Sequence, residues 1–124
     1  MNDSQAGKPI PPNQRVVHDI EHLMQEVNSG ASFEQYFRWA SLGEIAQIRD
    51  HLQTVGLEDV AALVTEAIQI AFPDGLPASE EEKSAATEWT PAQQEGLGAL
   101  FPRLEDGNGR VTNVLGEYAR RTGA

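Results

Sequence analysis

Glu26-Val27-Asn28-Ser29-Gly30-Ala31-Ser32-Phe33-Glu34-Gln35-Tyr36-Phe37-Arg38-Trp39-Ala40-Ser41 is the stretch from which the fold is read. It holds Phe33, Tyr36, Phe37 and Trp39, four of the eight aromatic residues in a chain of 124. Asn28-Ser29-Gly30 interrupts whatever helix precedes it, and Gly30 suits a left-handed helix end. Ser32 and Gln35 stand at capping-box spacing, which predicts a short helix starting there. On such a helix Phe33, Tyr36 and Phe37 are i, i+3, i+4 neighbours and share one face. The stretch is therefore expected to form an aromatic plug, buried against the helix predicted over 57–71. Trp39 and Tyr118 are also candidates for a partner surface, but core packing is the expected role of each, because aromatic side chains dominate burial.

Working outward, residues 15–27 repeat apolar side chains at helical spacing: Val16, Val17, Ile20, Leu23, Met24 and Val27. Asp19, Glu21 and Glu26 lie off that stripe. After the plug, Ser41 and Glu44 have capping-box spacing ahead of Ile45, Ile48, Leu52 and Val55, and Gly56 is placed to end that helix. Residues 57–71 are apolar over so wide an arc that a central helix is expected. Pro73-Asp74-Gly75-Leu76-Pro77 stops it. Ser79 with Glu80, Glu81 and Glu82 predicts a short helix start, and Thr90-Pro91 another. Asp106-Gly107-Asn108-Gly109 is a break, and Val111, Val114, Leu115 and Tyr118 mark the last helix. Strand alternation is absent. The fold class is all-α, an irregular compact bundle of five to seven helices. Residues 15–124 make one domain, preceded by a polar, proline-bearing segment, 1–14, read as a disordered leader.

Composition narrows the function classes. The net charge is −10, with 19 acidic against 9 basic residues and no cysteine. Disulfides and thiolate metal sites are excluded, and a reducing, cytoplasmic location fits. Direct nucleic-acid binding is disfavoured, because it depends on neutralising phosphates with Lys and Arg. Anionic membranes are disfavoured likewise, and no apolar run approaches the ~18 residues of a spanning helix. Acidity serves solubility in many small proteins; it also suits a basic protein partner.

His18-Asp19-Ile20-Glu21-His22 has the spacing of a zinc-peptidase motif. On a helical wheel both histidines fall opposite the apolar stripe, on open solvent. The remaining histidine, His51, lies on another helix. A catalytic metal needs a third ligand and a shaped cavity. No Gly-x-Ser-x-Gly elbow or phosphate loop occurs either. The expectation is no metal, no cofactor and no enzyme.

Glu26-Val27-Asn28, a glycine, and Phe33-Glu34-Gln35-Tyr36-Phe37 resemble the signature of the DNA-mimic-protein-like domains, small bacterial proteins mostly of unknown function. Asn28, Gly30, Phe33, Gln35, Tyr36 and Phe37 carry the match, which extends over about residues 16 to 121. Ser29-Gly30-Ala31-Ser32 replaces a tighter Asn-Gly-Gly turn, and Trp39-Ala40 stands where Asn-Ser is usual. The resemblance implies an acidic protein-binding domain that sequesters a basic DNA-binding protein such as a transcription regulator. Alternatives are an immunity- or antitoxin-type inhibitor of a toxic nuclease, or a plain regulatory interaction module. The candidate partner-binding carboxylates are Asp19, Glu21, Glu26, Glu58, Asp59, Glu66, Glu80, Glu81 and Glu82. On helices such residues form rows that imitate a phosphate backbone, and the further acids Glu44, Asp50 and Glu88 extend the set.

Overall fold

The computed structural model describes residues 11–105 and 108–123. All regular structure in them is helical: α1 Pro12–Gly30, α2 Glu34–Trp39, α3 Leu42–Thr54, α4 Glu58–Ala71, α5 Glu80–Ala86, α6 Pro91–Ala99, α7 Phe101–Glu105 and α8 Asn108–Thr122. α6 and α7 are two arms of one element. Pro102 cannot donate to the carbonyl of Gly98, which accepts from Leu100 instead, while Leu104 N–H still reaches Leu100 O at 3.2 Å. Taken so, the described residues form the expected all-α bundle, with seven helices.

Residues 1–10 of the expected leader lie outside the described residues, as do Asp106 and Gly107 of the expected break. The leader's end is corrected. Pro12 opens α1 three residues early, since proline is well suited to a first helical turn. Tyr118 Oη then donates to Asn13 Oδ1 at 3.1 Å, fastening the start of α1 to α8.

α1 and α4 are the two hubs. α1 touches α2, α3 and α8; α4 touches α3 and α6. α4 buries Val60, Ala61, Leu63, Val64, Ala67, Ile68 and Ala71, the wide apolar arc that makes it central. Its last carbonyls have no helical partner, and two side chains from downstream supply donors. Trp89 Nε1 donates to Ala71 O at 3.1 Å and Gln93 Nε2 to Ile70 O at 2.9 Å. Gln93 also completes a capping box with Thr90 at the head of α6. At Gly96 a Cβ would lie 3.3 Å from Ile70, so this glycine lets α6 approach α4 closely.

The α1–α2 corner differs from expectation in two ways. Gly30 stays helical, and the left-handed residue is Ala31, with φ 52°. Ser32 N–H reaches back to Val27 O, the long bond of a Schellman cap. Gly30 instead leaves room for a neighbour: a Cβ there would sit 3.0 Å from Gln35 Oε1. Gln35, in turn, does not close a capping box on Ser32. It donates to Glu26 Oε1 at 2.5 Å, while Ser32 Oγ accepts from Glu34 N–H.

Phe33, Tyr36 and Phe37 are fully buried. Their backbone runs closest to α1 and α6, and the expected packing on α4 is met at its end, where Phe37 meets Phe72 edge-on at 5.4 Å. α5 fastens α2 from outside. Lys83 Nζ donates to Phe37 O at 2.8 Å and Arg38 O at 2.9 Å, and so caps the short helix's last turn.

Candidate partner-binding surface

The nine candidate carboxylates fall into three environments. Asp19 and Glu26 turn inward, which corrects their expected place on the solvent face. α3 lies against that flank of α1 and covers it. Asp19 is 3% exposed and meets His51 of α3 at 3.3 Å and the exposed His18 at 3.2 Å. Its Oδ2 and His51 Nε2 are close but too poorly aligned for a hydrogen bond.

Glu26 is largely buried and shares His22 with Glu44. His22 Nδ1 lies 2.6 Å from Glu44 and Nε2 lies 3.3 Å from Glu26. His22 also packs edge-on against the Tyr36 ring at 5.8 Å. It is therefore a partly buried joint between α1, α2 and α3, not the solvent-exposed histidine expected. His22 and His18 face different carboxylates, and no three His, Asp or Glu side chains among the described residues group to hold a metal ion. Burial pushes the Tyr36 phenol far above its ordinary value, and the nearby carboxylates of Glu44 and Asp19 push it the same way. This inward cluster binds helices together.

A second group is engaged within the fold, by arginines or by backbone N–H groups. Glu66 of α4 takes Arg103 in a two-pronged pair, at 3.1 and 3.0 Å. Asp59 pairs with Arg110, whose guanidinium holds its carboxyl below the usual carboxylate range. Glu80 accepts from Leu42 N–H at 2.7 Å at the head of α3 and lies 4.0 Å from Lys83 Nζ. Glu82 accepts from Ala78 N–H, while Ser79 Oγ accepts from Glu82 N–H.

Glu21, Glu58 and Glu81 make the third group. They are exposed and have no ion pair among the described residues. Glu21 also lines a groove of about 560 Å³ between α1 and α8, with Val17, Met24, Val111 and Leu115. Asp50, Glu88 and Glu95 are exposed as well.

The cations do not balance this surface. Burial pulls the Lys83 amine below its ordinary value, with Glu80 opposing. Arg38 lies over the Trp89 ring, 5.2 Å from its centroid. Trp89, which the sequence reading passed over, is the buried indole, whereas Trp39, expected in the core, is 70% exposed. A helical wheel carries the signal for Trp39. At about 100° per residue it falls some 110° from the centre of the Phe33–Tyr36–Phe37 stripe.

A family model described as DMP19-like protein matches residues 8–122. The chain belongs to this family. The match spans all eight helices of the described residues, so the DMP19-like assignment covers both the aromatic plug and the carboxylates around it. No curated protein and no solved structure matches the chain. No helix among the described residues is long and apolar enough to cross a membrane.

Proposed function

We propose that this DMP19-like domain acts by binding, not catalysis, and that it occupies the DNA-contacting surface of a basic protein such as a transcription regulator. The observation that supports this reading is the excess of exposed carboxylates over exposed cations. Lys83 is buried beneath α2, and Arg103 and Arg110 are paired with carboxylates, while Arg15, Arg38, Arg120 and Arg121 are exposed. Glu21, Glu58, Glu81, Asp50 and Glu88 remain exposed on a chain of net charge −10. Family membership is consistent with it, although fold alone carries no function.

Fixed carboxylates on helices act on a basic groove as phosphates do, and the attraction falls as salt screens it. The test begins with immobilised protein and a lysate at low salt. The expected partner is a DNA-binding protein that elutes as salt rises. It should also release a labelled duplex when this protein is added. A partner that keeps its DNA while bound here, or one held by interactions indifferent to salt, contradicts the proposal.

A further inference from the structure

All three histidines of the chain face carboxylates of the α1–α3 joint, and His22 stands between two of them. Its Nδ1 lies 2.6 Å from Glu44 Oε2 on α3, and its Nε2 lies 3.3 Å from Glu26 Oε2 on α1. A neutral imidazole has one N–H and one lone pair, so it can serve only one of these oxygens. The other oxygen would then face a lone pair across the same short distance. Only the imidazolium, with two N–H groups, turns a donor towards both carboxylates.

The surroundings supply no other positive charge. Glu26 Oε1 accepts from the neutral amide of Gln35 on α2 at 2.5 Å. Tyr36 of α2 packs edge-on against the His22 ring, and burial with the nearby Glu44 and Asp19 keeps its phenol neutral. Asp19, on the preceding turn of α1, is met by His18 and by His51 of α3. Among the described residues no lysine or arginine pairs with Glu26 or Glu44. Both carboxylates are largely buried, where an uncompensated charge is costly. The ring also reaches solvent. With Glu44, His18, Glu21 and Gln25 it lines an open pocket of about 300 Å³, through which a proton can enter and leave.

We propose that His22 is held as an imidazolium whose proton locks α1 to α3, making this corner a pH-sensitive joint. Gln35 and Tyr36 carry the lock to α2 and the aromatic plug. Loss of the proton leaves Glu26 and Glu44 as two largely buried charges without a cation, and the corner loosens. Folding therefore favours the protonated trio. Its contribution to stability is full below about 6.5, the ordinary histidine value, and is lost as pH rises beyond it.

The test is nitrogen-15 NMR of the histidine rings in the full chain at pH 7, which separates a doubly protonated ring from either neutral tautomer. Wild-type His22 should carry both protons. In the isosteric double variant Glu26→Gln, Glu44→Gln its ring should be mostly neutral at the same pH. Chemical denaturation gives a second readout. As pH rises past the histidine range, wild type should lose up to about tenfold in folding equilibrium constant per pH unit relative to His22→Gln, the slope of one proton. Should His22→Gln fail to fold, the two spectra decide alone. A neutral wild-type ring at pH 7, a ring state unchanged in the double variant, or parallel stability profiles for wild type and His22→Gln would overturn the proposal.

Discussion

Lys83 reaches 46 residues back along the chain to donate its ammonium to the carbonyl oxygen of Phe37 at 2.8 Å. The contact ties the acidic helix α5 to the aromatic plug and places a positive charge at the negative end of α2. Lys83→Met keeps the aliphatic stem but strands two carbonyls. It should cost about 2 to 4 kcal/mol in chemical denaturation, the range for buried acceptors left without donors. A variant as stable as wild type would show that water replaces the ammonium at no cost.

The same lysine gives a pH signature. Its folded value is lowered, chiefly by burial, so above that value the unfolded chain holds more protons than the folded one. Stability from this group therefore rises with pH. The gain is complete above about 10.5, the ordinary lysine value, and is lost as pH falls through the lower folded value. As pH rises towards 10.5, wild type should gain stability relative to Lys83→Met. Parallel profiles for the two proteins would contradict this.

Tyr36 works in the opposite sense. Its folded value is raised, so its contribution is full below about 10, the ordinary phenol value, and is lost as pH climbs beyond it. Only the unfolded state releases the proton there. Tyr36→Phe should flatten the alkaline loss of stability above pH 10. At pH 7 it should be neutral or stabilising by about 1 kcal/mol, because the buried hydroxyl has no aligned partner. A large loss at pH 7 would mean that the hydroxyl holds Glu44 in place.

Ala31 is an exposed alanine in left-handed backbone. That conformation costs a residue with a Cβ about 1 to 2 kcal/mol, and glycine would return roughly 0.4 to 1 of it as unfolded-state entropy. Ala31→Gly should therefore raise stability by about 1 kcal/mol or less. Destabilisation would place the strain elsewhere.

These residues also mark what could be read from the sequence. Ser41, Ser79 and Thr90 begin helices as their spacing requires, and Gly56 ends one with φ 88°. Cap chemistry is local, so it was legible. Burial of the plug followed from Phe33, Tyr36 and Phe37 recurring on one face. Asp19 and Glu26 were misplaced because a wheel drawn for α1 alone has no knowledge of α3, whose His51 and Glu44 cover that flank. Lys83 was missed for a related reason. Nothing in Glu-Glu-Glu-Lys reveals that carbonyls from a distant helix end wait for the ammonium. The left-handed residue falls on Ala31 rather than Gly30, and the Gln35 side chain takes the space beside Gly30. At the surface, the sequence supplied the acids but not their pairing with Arg103 and Arg110.

The central claim is that the unpaired carboxylates compete with DNA for a basic protein. Asp19 and Glu26 are unsuitable probes, since reversing a buried charge disrupts the α1–α3 contact. Glu21, Glu58 and Glu81 are exposed and suitable. The decisive measurement is release of labelled duplex from the captured partner by wild type and by the combined variant Glu21→Lys, Glu58→Lys, Glu81→Lys, across a salt series. Each exposed pair is worth about 0 to 1 kcal/mol, so three reversals together should raise the concentration needed for release about tenfold or more at low salt. The salt dependence should also become shallower. A correctly folded variant that releases DNA as efficiently as wild type at low salt would contradict the claim.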